Sequence, residues 1–132
     1  MPIGSCRCAF MASLLALAAC DQDPFHRSEQ RFPESSYRLK KWEDEQTFYL
    51  VGRLFPDTGV VHSSVVQIGW RDHYILFRHT GDGPKHDGWF VLDTRADTLS
   101  GPYTDAGLRE LAAVATVPTI GPAQAWDSLG KL

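Results

Sequence analysis

The chain has 132 residues, 43% of them hydrophobic and 22% charged, and 13 Lys plus Arg against 16 Asp plus Glu leave a formal charge of −3. That balance belongs to an ordinary globular chain of one domain and excludes full disorder, a collagen-like repeat and a polytopic membrane protein. The positive charges are scattered, so no basic stripe offers itself to phosphates and no nucleic-acid partner is expected.

Residues 9–19 form an apolar run, preceded by Arg7 and followed at once by Cys20, Asp21, Gln22 and Asp23. As a helix the run measures about 16 Å against about 30 Å of hydrocarbon, too short to cross a bilayer and suited to the apolar region of a secretory signal peptide. Leu17-Ala18-Ala19-Cys20 resembles the lipobox of bacterial lipoproteins. The resemblance implies a signal peptide over 1–19, cleavage before Cys20, and diacylglycerol on its thiol. Two or three acyl chains at about 0.8 kcal/mol per buried CH₂ hold a domain on a membrane far more firmly than one. The same resemblance places the protein in the bacterial cell envelope. Asp21 favours the periplasmic face of the inner membrane where the envelope is Gram-negative.

Cys6 and Cys8 leave with the signal and Cys20 is consumed by lipid, so the exported domain has no thiol left to cross-link and must rely on its apolar core. The Cys6-Arg7-Cys8 pair has no second pair to complete a metal site.

Residues 20–36 comprise the lipidated Cys and a polar tether with Pro24, Pro33 and only Phe25 and Phe32 as bulky apolar residues, reaching about 20–25 Å as a flexible chain. An α+β domain is expected over 37–117, with 118–132 as a C-terminal tail. Residues 37–42 read as an edge strand. Residues 47–54 alternate Phe48, Leu50, Gly52 and Leu54 with Tyr49, Val51 and Arg53, the period of a half-buried strand. Pro56, Asp57 and Gly59 then break it. Residues 64–70 and 74–79 are joined so closely by Arg71-Asp72-His73 that only an antiparallel hairpin fits, with Val66, Ile68 and Trp70 sharing a face, as do Ile75 and Phe77. A loop over 80–87 leads to a strand at 88–92.

After a turn at 93–98 comes the one helix the sequence marks clearly. Thr104 is its N-cap, Asp105 sits at its positive end, and Leu108, Leu111, Ala112 and Ala115 form its apolar stripe; Pro118 ends it. Residues 121–132 either add one further turn from Pro122, folding Trp126 and Leu129 back, or fray. Strands followed by a helix predict an α+β fold: an antiparallel sheet of four to five strands with one C-terminal helix packed on it.

The pattern Gly69-Trp70-Arg71-Asp72-His73-Tyr74-Ile75-Leu76, Trp89-Phe90-Val91-Leu92-Asp93 and Gly101-Pro102-Tyr103-Thr104 resembles a family of small bacterial lipoproteins with no assigned activity. Residues 89–112 also resemble the Gly-Tyr-Phe-type domain, which implies peptide binding on an aromatic surface. The continuation Gly-x-Ile-x-Pro-Asp-Thr-x-Val-Trp is missing here, and four strands precede the match.

Several residue groups invite chemistry. His79, Asp82, His86 and Asp87 could meet on a metal across one loop, although Gly81, Gly83 and Pro84 explain that loop as a turn. Asp57-Thr58-Gly59 matches the aspartic-protease triplet, but Pro56 and Val60 flank it in place of the expected residues. His62 beside Ser63 and Ser64 lacks an oriented base and an oxyanion donor pair. There is no Gly-rich phosphate loop. No metal or other cofactor is therefore expected. Among the aromatics, Tyr74 and Trp89 are left for a partner-facing side. The sequence reads as a non-enzymatic binding or assembly module, meeting the membrane through lipid on Cys20 and an envelope protein or peptide through its domain. The alternatives are a Gly-Tyr-Phe-like peptide binder and an envelope hydrolase.

Overall fold

The computed structural model describes residues 28–57, 64–80 and 87–132. The apolar leader, Cys20, the Thr58-Gly59 pair, His62, Ser63, and the loop positions Asp82 and His86 lie outside these residues.

Among these described residues seven strands and two short helices follow in order: β1 (Glu29–Arg31), β2 (Arg38–Lys41), β3 (Phe48–Val51), β4 (Ser64–Arg71), β5 (Tyr74–Thr80), β6 (Trp89–Asp93), β7 (Thr98–Tyr103), α1 (Asp105–Arg109) and α2 (Pro122–Leu129). The fold is α+β and mostly β. The strands divide into two antiparallel meanders, one ordered β1-β2-β3 and the other β4-β5-β6-β7.

Sheet pairing explains several departures from the linear pattern. Residues 29–31, within the stretch that composition assigns to a tether, pair with 38–40, and the next residue, Phe32, is 2% exposed. β2 is thereby the centre of its sheet, not an edge. β3 stops at Val51 because Gly52 and Phe55 exchange backbone hydrogen bonds of 3.0 Å and turn the chain back. In β4 a bulge between Val65 and Gln67 shifts the alternation, so Val65 is buried and Val66 faces solvent.

Ile68, Ile75, Phe77, Phe90 and Leu92 of the larger sheet pack against Phe32, Leu39, Phe48 and Leu50 beneath the smaller one, making the main core. α2 begins at Pro122, a residue suited to the first helical turn. It buries Ala125 and Leu129 in the same core, and Lys41 Nζ stands 3.9 Å from the centre of the Trp126 ring. The C-terminal residues thus form a helix, folding back as one of the two readings had it.

The opposite face of the larger sheet is covered too. Leu76, Trp89 and Val91 pack with Leu108, Val114 and Val117. Helix α1 is shorter than expected. Thr104 accepts the N–H of Gly107 at 3.0 Å and caps it, but α1 ends at Arg109. The chain continues in turns, with Leu111, Val114 and Val117 each donating to the carbonyl three residues back. Leu108, Leu111, Val114 and Val117 recur every three residues. Turns of that period keep all four on the sheet, whereas an α-helix would rotate the last ones away. The expected stripe is corrected accordingly: Ala112 and Ala115 are exposed.

Candidate functional site

One pole of the molecule gathers the turns 33–36, 52–55, 72–73 and 94–97. At it, a cleft of about 470 Å³ is lined by Glu34, Asp72, His73, Thr94 and Arg95. These residues come from three hairpin turns remote in sequence, and each turn is built locally. Glu34 and Asp72 take left-handed backbone angles, φ 51° and 55°. Asp is among the residues that tolerate this region best. Asp93 Oδ1 accepts the N–H groups of Arg95 and Ala96, both at 3.0 Å, which closes the third turn.

The turns are tied to one another. The His73 carbonyl accepts the Thr94 N–H at 2.8 Å and the Thr94 hydroxyl at 3.1 Å. Tyr37, at the end of the first turn, donates its hydroxyl to Asp97 Oδ1 at 2.9 Å, and Arg53 Nη1 lies 3.5 Å from Asp97 Oδ2. The cleft therefore has a braced wall.

His73 packs against a neighbouring ring. Its ring centre sits 4.2 Å from that of Tyr74, and its side chain is 26% exposed. Nε2 is 3.9 Å from Asp93 Oδ2, beyond hydrogen-bond reach, and Nδ1 is buried without a partner. Among the described residues no hydrogen bond fixes which ring nitrogen carries the proton, so His73 can offer Nε2 as donor or acceptor. Around it stand two carboxylates and one guanidinium, all three on exposed residues.

The sequence-chosen residues lie elsewhere. Tyr74 adjoins the cleft through His73 but packs with Tyr103 and Leu111 against the rear core. Trp89 is 6% exposed, and its indole N–H donates to Asp105 Oδ1 at 2.7 Å. Tyr74 and Trp89 both lie on the face of the sheet away from Ile75 and Phe77, where alternation put Tyr74, and Leu108, Val114 and Val117 of the segment 108–117 pack on that face. Phe90, another aromatic of the Gly-Tyr-Phe-like stretch, is buried in the main core. A hollow of about 170 Å³ beside Trp89 and Asp105 is smaller than ligand sites usually are.

His79 stacks on Phe90 at 5.0 Å, so the start of the suspected metal loop is committed to the core. Among the described residues no group of His, Cys, Asp and Glu is arranged for a metal. Asp57 pairs with Lys40. Burial of Lys40 disfavours its charge, but Asp57 and Tyr49 outweigh this and hold the ammonium above its ordinary value. A carboxylate held by an ammonium is ill suited to share a proton with a second aspartate, as an aspartic-protease dyad must.

No family model, curated protein or solved structure matches the chain.

All five residues of the cleft escaped sequence reasoning as a site, Asp72 and His73 being read only as the connection of a hairpin. Pro33-Glu34-Ser35-Ser36 carries a turn signal, as does Asp93-Thr94-Arg95, but nothing in either announces that they meet.

Proposed function

We propose that this protein is a lipid-anchored module of the bacterial cell envelope that binds a partner molecule at its hairpin-tip pole without performing chemistry on it. The anchor is the lipid on Cys20, at the periplasmic face of the inner membrane in a Gram-negative envelope.

The observation that carries this reading is the direction of β1. Glu29 pairs with Lys40 and Arg31 with Arg38, so the strand runs toward the turn 33–36 and the cleft. The chain therefore arrives at the other pole, where the Ser28 carbonyl accepts the Lys41 N–H at 2.7 Å. At 3.3–3.6 Å per residue, Cys20 can stand no more than about 30 Å from Ser28. An anchor there holds the arriving pole toward the lipid and turns the cleft outward, where partners can reach it. No helix among the described residues is long and apolar enough to cross a membrane, so attachment in this reading falls to the lipid.

Metabolic labelling with palmitate, followed by fractionation, tests the anchor. Label should enter the wild-type protein and sediment with membranes, while Cys20→Ala remains unlabelled and is released. An unlabelled wild-type chain, or a Cys20→Ala chain that stays with the membranes, would overturn the reading.

A further inference from the structure

We propose that the hairpin-tip cleft takes a neutral, polyhydroxylated ligand, an oligosaccharide, held by Glu34, Asp72 and Arg95. The inference names the ligand class for the binding role proposed above and rests on that role.

The lining offers every kind of hydrogen-bonding partner within one space. Glu34 and Asp72, when ionised, only accept; Arg95 only donates; the Thr94 hydroxyl, its hydrogen given to the His73 carbonyl, accepts; and His73 Nε2 does either. A sugar hydroxyl both donates and accepts, so neighbouring hydroxyls on a ring can satisfy a mixed set of this sort. A single-sign ion satisfies only part of the set, because a cation meets Arg95 and an anion meets Glu34 and Asp72. A largely apolar ligand has nothing to gain from walls made of charged and polar groups. The volume, about 470 Å³, lies within the usual range for small-molecule sites.

Preorganisation supports the same conclusion. The ring of His73 is fixed on Tyr74, and Thr94 is fixed by its two hydrogen bonds to the His73 carbonyl. Ordering these groups therefore costs little when a ligand arrives. Among the described residues Glu34, Asp72 and Arg95 form no ion pair that a ligand must first break, and all three are exposed.

The test is calorimetric titration of the full chain in a polyoxyethylene detergent with chitotetraose, cellotetraose and maltotetraose, beside glycine betaine and inorganic phosphate. The expected result is saturable binding of at least one tetraose, little changed by salt, because a neutral ligand forms no screened ion pair. It should weaken about tenfold in Arg95→Ala and in Glu34→Gln, the loss of roughly one charge-assisted hydrogen bond. Thermal midpoints near that of the wild type show that the variants fold. Absence of saturable tetraose binding, binding unaltered in both variants, or saturation by betaine or phosphate alone overturns the proposal. Palmitate labelling reads the anchor independently, so failure here and failure of the anchor are distinguishable.

Discussion

Tyr37 shows how a single side chain ties the two sheets together. It is 1% exposed, its ring meets Phe55 edge-on at 6.2 Å, and its hydroxyl reaches across to Asp97. Burial, and then the proton donated to Asp97, hold the phenol above its ordinary value of 10.0. A group whose value is raised on folding contributes stability that is complete below its unfolded value and is lost as pH climbs through the folded one. The protein should therefore lose stability above about pH 10 partly through Tyr37. Tyr37→Phe should cost about 0.5–1.5 kcal/mol at neutral pH and flatten the alkaline limb. Urea unfolding across pH 8–11 checks both, and an alkaline limb of wild-type slope in the variant would refute this account. At this scale sequence is a partial guide: Tyr37 reads as a strand aromatic, but its partner lies sixty residues away.

Among the elements, the segment 105–120 depends most on its neighbours. Its first turn has a cap and a favourable acidic residue, which sequence discloses, yet Gly107 weakens it by about 1 kcal/mol relative to Ala. Packing then decides. Ile68 and Ile120 exchange backbone hydrogen bonds of 2.9 and 2.8 Å, closing the edge of β4, and Arg71 donates to the Thr116 hydroxyl at 2.8 Å. So close an approach requires Gly69, where a Cβ would stand 2.4 Å from the Pro118 carbonyl oxygen. Gly69→Ala should destabilise the protein by about 1–3 kcal/mol, since backbone on both sides cannot yield cheaply. Amide exchange should show the Ile120 N–H losing protection first. Unchanged protection and stability would mean that the edge is not closed in this way.

For the whole molecule, the decisive fact is that both faces of the four-stranded sheet are covered, one by the smaller sheet with α2 and the other by the segment 108–117. The main core depends on Phe32, whose ring meets Trp70 edge-on at 5.5 Å. Phe32→Ala should cost about 3–5 kcal/mol, measured by urea unfolding, whereas a residue of a free tether would cost next to nothing on truncation. Sequence alone determined what depends on neighbours in the chain: the apolar run before Cys20, the β4–β5 hairpin whose short connection permits only an antiparallel pair, the inward set of Ile75 and Phe77, and the Thr104 cap. Only the tertiary structure decided the rest. A three-residue strand such as β1 has too few side chains to show a period, and exists because β2 accepts it. The segment 108–117 takes the rear face of the sheet by tertiary packing, because alternation reveals which residues share a face but not what lies against it. The cleft is formed by polar turns remote in sequence, and only strand pairing brings Glu34, Asp72, His73, Thr94 and Arg95 to one pole.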